Sequence, residues 1–68
     1  MSKKYFSLRF GKVIALQGNV ATVRYYNGKV DVVPFQGRFA VGDLICVWEQ
    51  NGIKELYANI HQVFEKHP

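Results

Sequence analysis

The segment NVATVRYYNGKVDVVPF, residues 19–35, decides the fold class of this chain. Two runs of alternating β-branched, aromatic and polar residues are joined by an Asn-Gly pair, which is the pattern of a β-hairpin. Successive side chains of a strand point to opposite faces. If Tyr25 enters a core, Tyr26 must therefore face water beside Arg24. The segment predicts a strand pair that carries an aromatic ring and a base on its outer face.

Three further runs of strand-forming residues flank this hairpin. The predicted strands are residues 7–16, 19–26, 29–35, 44–50 and 53–60. Asn27-Gly28 and Asn51-Gly52 are expected to form tight hairpin turns, and a type I′ turn at the first pair requires positive φ at both central residues. Gly11 is expected at a bend or bulge of the first strand. After the last strand, the spacing of apolar residues predicts one packed helical turn at most.

Five short strands without a ten-residue helical pattern indicate an all-β fold. We expect a small five-stranded antiparallel barrel, either an OB-fold or a Src-homology-3-like fold, with at most one short C-terminal helical turn. The 68 residues predict a single β-barrel domain whose core spans about residues 7–60. Closing the sheet into a barrel also removes exposed strand edges, which are an aggregation hazard for a chain this hydrophobic.

The pattern GKVIALQGNVATVRYYNGKVDVVPF…FAVGDLICVWEQNG resembles the small OB-fold RNA-binding barrels of ribosomal and translation-factor proteins. Those barrels begin with a Gly-x-Val strand, continue with a Gly-x-x-Ala/Val-x-Val hairpin and open the fourth strand with Val-Gly-Asp. The resemblance covers about residues 10–60 and implies an RNA-binding barrel. Val-Gly-Asp also opens strands in Src-homology-3-like barrels and in phage tail-spike OB-folds, so both topologies remain open. The matching positions are Gly11, Val13, Gly18, Ala21, Val23, Val41, Gly42 and Asp43.

The charge distribution is one-sided. The net charge is +4, and every charged side chain in the first thirty residues is basic. Asp31 is the first carboxylate of the chain, and from there acids outnumber bases. A basic face attracts polyanions, most commonly nucleic acid. Ordinary solubilising charge is the alternative explanation for a chain of this net charge.

The alternation of each strand assigns residues to faces. The predicted inward residues are Ala21, Val23, Tyr25, Ile45, Val47, Leu56, Ala58 and Ile60. Tyr26, Trp48 and Tyr57 are then predicted on the outer surface among basic groups. Bases of a single strand stack on aromatic rings while its phosphates contact Lys and Arg. The predicted sites for single-stranded DNA or RNA are Lys12, Arg24, Tyr26, Lys29, Arg38 and Trp48.

A structural or assembly barrel is the alternative function, for example as a docking module of a phage particle or a larger complex. Exposed apolar residues on one strand commonly mark a subunit contact. Leu44, Trp48 and Tyr57 are the predicted interface residues of such a homo-oligomer. Tyr57 and Phe35 have a third interpretation, in which half-buried rings seal the ends of a small barrel.

Few residues suit catalysis. Cys46 lies in an apolar strand, where cysteine is usually an inert small hydrophobe. His61 and His67 have no cysteines or acids at metal-ligand spacing. A lone cysteine makes no internal disulfide, and no apolar run is long enough to span a membrane. The sequence therefore predicts a non-enzymatic, cytoplasmic binding module with no cofactor and no bound metal.

Overall fold

A computed structural model describes residues 5–68 as five antiparallel strands in one sheet, followed by a short helix. The strands pair in the order β3-β2-β1-β4-β5. This confirms the predicted all-β antiparallel class. The C-terminal helix is short, and its seven residues make about two turns where one turn was predicted. The elements are β1 (Ser7–Gln17), β2 (Val20–Tyr25), β3 (Val30–Pro34), β4 (Leu44–Gln50), β5 (Ile53–Tyr57) and α1 (Ile60–Lys66).

The first strand is long enough to be shared by two neighbours. Its first half pairs with β4, and its second half pairs with β2 from Gly11 onward. The register against β2 shifts between Val13 and Ala15, so the bulge of the first strand lies at Ile14 and not at Gly11, where a bend or bulge was expected. Gly11 instead allows the backbones of β1 and β2 to approach each other closely, because a Cβ at this position would lie 2.3 Å from the carbonyl oxygen of Arg24.

The edges of the sheet, β3 and β5, are near each other but are not joined in a backbone ladder. The main-chain pairing of residues 5–68 therefore leaves the sheet open, and the predicted closure into a barrel is not seen. Side chains cross the gap instead. The Nζ atom of Lys54 on β5 lies 2.8 Å and 3.0 Å from the two carboxylate oxygens of Asp31 on β3.

Alternation predicts most of the core correctly. The main core cluster contains all the predicted inward residues of β2 and β4, together with Leu56. Ala58 and Ile60 are exceptions, because both are exposed. The fifth strand ends at Tyr57, and Asn59 then caps α1 by accepting a hydrogen bond from the Gln62 N–H. Residues 58–60 thus leave the sheet before their alternation could bury them.

The two Asn-Gly turns differ. Asn51 and Gly52 have φ values of 54° and 80°, as a type I′ turn requires. Within residues 5–68, Asn51 is the one non-glycine residue with positive φ, so the type I′ turn predicted at Asn27-Gly28 is wrong. There the Gly28 N–H donates to the Tyr25 carbonyl, and Gly28 alone has positive φ. Tyr26 is therefore a central residue of this turn.

The hydrogen bonds that Asp31 accepts at the gap between β3 and β5 make the stability of the domain depend on pH. Burial alone raises the pKa of Asp31, but hydrogen bonds from Lys54, the Tyr25 hydroxyl and the Val32 N–H outweigh burial and hold that pKa below its usual value. The folded state therefore binds fewer protons here than the unfolded chain does. This contribution to stability is present above the unfolded pKa, about 3.8, and is lost as the pH falls through the folded value.

Lys54→Met is expected to lower the free energy of unfolding by about 1–2 kcal/mol at neutral pH, because a charge-assisted hydrogen bond is lost. It should also raise the midpoint pH of acid unfolding, since the pKa of Asp31 is then depressed less. Circular dichroism during urea and acid titrations measures both effects. Lys29→Met, at an exposed turn position, is the matched control and should change neither. An unchanged acid midpoint for Lys54→Met would contradict this role.

Candidate nucleic-acid interface

Within residues 5–68, one half of the outer surface of the sheet is exposed and is not covered by the helix. Arg24 on β2 lies directly opposite Lys12 on β1, which in turn lies opposite Leu44 on β4, so the three side chains share a face. Val30 on β3 continues this row on the other side of Arg24. We call this surface the open face; its residues, all exposed, are Phe10, Lys12, Arg24, Tyr26, Val30, Val32 and Leu44.

Two aromatic residues lie at one end of the open face. The Tyr26 N–H donates to the Phe10 carbonyl across 3.1 Å, which extends the pairing of β1 and β2 by one step. The two residues are 74 % and 43 % exposed. Tyr26 was predicted to face water, and it does. Phe10 was not predicted as a site residue, although it is two positions from Lys12 in a strand and must therefore share its face.

The basic side chains of the open face contact no carboxylate in the part of the chain that the structure describes. Within residues 5–68 the carboxylates that contact basic side chains are those of Glu49 with Arg9, Asp31 with Lys54 and Glu55 with His67, so neither Lys12 nor Arg24 has a carboxylate partner there. A fourth acid, Asp43, accepts a hydrogen bond from the Ala40 N–H. Because most acids are engaged elsewhere, the positive charge of the open face is not neutralised locally.

The structure brings some predicted site residues together and separates others. Lys12, Arg24 and Tyr26 lie on the open face, and Lys29 flanks it in the turn between β2 and β3. Arg38 lies apart from them, in the connection between β3 and β4. Its exposed side chain is not in the row of paired residues that defines the open face.

Trp48 is a correction to the sequence prediction. Its strand phase is as predicted, outside the main core, but the residue is only 6 % exposed. The ring of His67 stacks on its indole at 3.8 Å between centroids and 6° between planes, and Phe6 stacks beside it. The second apolar cluster, which covers this part of the outer face, contains Cys46, Trp48 and Val63 with Leu8 and Tyr57 against it. The prediction that Trp48 is an exposed residue on which bases stack is therefore wrong for this structure.

The predicted interface residues do not form one exposed surface. Leu44 is exposed on the open face, whereas Trp48 and Tyr57 belong to the cluster under α1. Burial and a hydrogen bond to Glu55 raise the pKa of Tyr57, so its hydroxyl stays protonated. Phe35 packs edge to face on Phe39 against the main core, which agrees with its interpretation as a sealing residue.

The remaining chemistry-bearing residues form no reactive centre in the described part of the chain. Cys46 is fully buried, and burial raises the pKa of its thiol, which disfavours the reactive thiolate. No group of three potential metal ligands occurs among residues 5–68. Over the same residues, α1 is far too short to cross a bilayer and no other helix is present to do so.

Comparison with known proteins yields no relatives: no protein-family model, curated protein or solved structure matches this chain. Functional inference therefore depends on the open face itself.

Proposed function

We propose that this chain is a non-catalytic binding module for single-stranded nucleic acid, DNA or RNA, and that the open face is its binding surface. The observation that carries the proposal is the cross-strand pair Lys12–Arg24. These two basic side chains lie next to each other and are exposed. Within residues 5–68 neither contacts a carboxylate, and the exposed rings of Phe10 and Tyr26 are close by.

Each part of the open face has a counterpart in a single strand. Phosphates contact Lys12 and Arg24, with Lys29 at the edge. Unstacked bases lie on Phe10 and Tyr26, since stacking on an aromatic ring contributes about 1–3 kcal/mol per base. A duplex offers no such contact, because its bases are stacked on each other. The exposed aromatic rings therefore favour a single strand over a double helix.

The five-stranded sheet is compatible with the same proposal. Its edge strands β3 and β5 approach each other without pairing, and an OB-fold is a five-stranded, partly open barrel. OB-fold barrels bind oligonucleotides on the face of their second and third strands. The open face includes residues of β2 and β3 together with residues of β1 and Leu44 of β4, so it overlaps the surface that the resemblance to small RNA-binding barrels implies.

An assembly role is the second candidate, and the exposed aliphatic residues Val30, Val32 and Leu44 favour it. A two-fold contact between copies through this face would place Lys12 and Arg24 against the same residues of the second copy. Like charges brought together without carboxylates oppose association. A different protein on this face would need an acidic surface. The arrangement therefore suits a polyanion better than a second copy.

A salt titration tests the proposed function. Fluorescence anisotropy of a labelled oligothymidine or oligouridine of about ten nucleotides, a length one OB-fold can span, measures the affinity. We expect the logarithm of the binding constant to fall linearly with the logarithm of salt concentration, with a slope of about −2 for three phosphate contacts on a single strand.

Duplex of the same length is the matched control ligand, and it should bind more weakly because its bases cannot stack on the protein. Sedimentation of the free protein at micromolar concentration distinguishes the second candidate. A stable oligomer whose mass is insensitive to salt, together with no anisotropy change at low salt, would refute nucleic-acid binding and support assembly.

A further inference from the structure

The helix α1 covers the same face of the sheet whose other half is open. On β1 and β4 the paired residues Leu8–Trp48, Phe10–Cys46 and Lys12–Leu44 follow one another along one face. Trp48 thus lies about 7 Å from the row of Phe10, because two residues of a strand span that length. The covered and open parts are continuous.

The helix is held by few contacts. It has seven residues, and Val63 is its one buried residue. An isolated helix of this length is unstable in water, so its structure depends on docking. Phe64 of the helix packs edge to face on Phe6, but both rings remain nearly half exposed. Segments with so little buried apolar surface open locally before the whole domain unfolds.

His67 forms the main polar attachment of this segment. Its ring stacks on Trp48, and its Nε2 lies 2.8 Å from the Glu55 Oε1 and 3.1 Å from the Tyr57 hydroxyl. Tyr57 also donates to Glu55, so the three polar groups form one small network on β5 and the C-terminal segment. Loss of the imidazole removes the stack and the link to β5 together.

Docking leaves one polar group unsatisfied. The Trp48 Nε1–H is buried and has no acceptor among residues 5–68. A buried donor without an acceptor lowers the stability of the closed arrangement. Opening of α1 together with His67 removes the ring that stacks on the Trp48 indole and uncovers this aromatic ring beside the open face.

We propose that α1 and His67 form a displaceable cover, and that a single strand bound on the open face competes with this cover for Trp48. This inference rests on the proposed function, since it names a regulation of the same surface. A strand that extends beyond Phe10 along β4 reaches Trp48 only when the cover is open. The cover therefore weakens binding in proportion to the closed population.

The test compares wild type with His67→Ala, Val63→Ala and the control His61→Ala. His61 is an exposed histidine on the same helix and lies outside the second apolar cluster. Acrylamide quenching of the single tryptophan, without nucleic acid, measures how often the cover is open. We expect more quenching in His67→Ala and in Val63→Ala, which loosens the helix by a different contact, and no change in His61→Ala.

Anisotropy with the same oligothymidine measures the competition. Removal of a cover that is closed most of the time should tighten binding about threefold to tenfold in both loosened variants. Unchanged quenching in both overturns the cover. If wild type binds and the loosened variants bind equally well or worse, the competition is overturned while the proposed function stands. If no variant binds, the proposed function fails and the competition fails with it.

Discussion

Gly11→Ala is expected to reduce the free energy of unfolding by more than about 3 kcal/mol, enough to leave much of a domain this small unfolded. An added Cβ would lie 2.3 Å from the Arg24 carbonyl oxygen and 2.9 Å from its carbonyl carbon. These are backbone atoms of the neighbouring strand. They cannot rotate away as a side chain can, so β1 and β2 would have to separate.

Gly18→Ala is the comparison that isolates this effect. Gly18 lies in the turn between β1 and β2 with φ +59°, and a Cβ there meets no atom within 4 Å. The cost is then backbone strain alone, about 1–2 kcal/mol for an L-residue in the left-handed region. Urea unfolding followed by circular dichroism measures both variants. Similar losses for the two would show that contact with β2 is not what excludes alanine at Gly11.

Reversal of both charges in Lys12→Glu/Arg24→Glu is expected to weaken oligonucleotide binding about a hundredfold at low salt, because two phosphate contacts become repulsive. The slope of affinity against salt should also become much shallower. Stability should change little, since both side chains are exposed and neither has a carboxylate partner within residues 5–68.

A matched reversal separates local contacts from net charge. Arg38→Glu/Lys66→Glu produces the same net charge, but these exposed residues lie in the β3–β4 connection and at the end of α1. It should lose only the general attraction and bind within about tenfold of wild type, because the remaining charge is screened over a Debye length. Equal losses in the two double variants would refute the open face as the binding surface.

Local patterns of the sequence were sufficient to predict the strands and most of the residues that they bury. Alternation in β2 and β4 predicts which residues enter the main core, because side chains on the same face of a strand recur every two residues. The same rule assigns Tyr26 and Arg24 to the outside correctly. The rule fails at Ala58 and Ile60, where the cap of α1 at Asn59 ends the strand early.

The covered surface could not be predicted in this way. Alternation places Trp48 outside the main core, but it does not indicate what packs on the outer face. That depends on contacts between β4 and a segment about twenty residues later, whose helical spacing was visible only in Ile60, Val63 and Phe64. The role of Phe10 was accessible in principle, since it shares the alternation of Lys12, but its position opposite Tyr26 depends on the register of β1 and β2.

The double partnership of β1 also determines the order in which this domain can assemble. The β1–β2–β3 meander and the β4–β5 hairpin each contain short-range pairings. Within residues 5–68 the one backbone ladder that joins them is β1–β4, where the Arg9–Glu49 contact spans 40 residues of chain. Contacts between residues so far apart in sequence form later than local ones, because loop closure costs entropy before the contact is made. We therefore expect formation of the β1–β4 ladder to be the slow step of folding, so that substitutions in this ladder change the folding rate more than substitutions in the Asn-Gly turns.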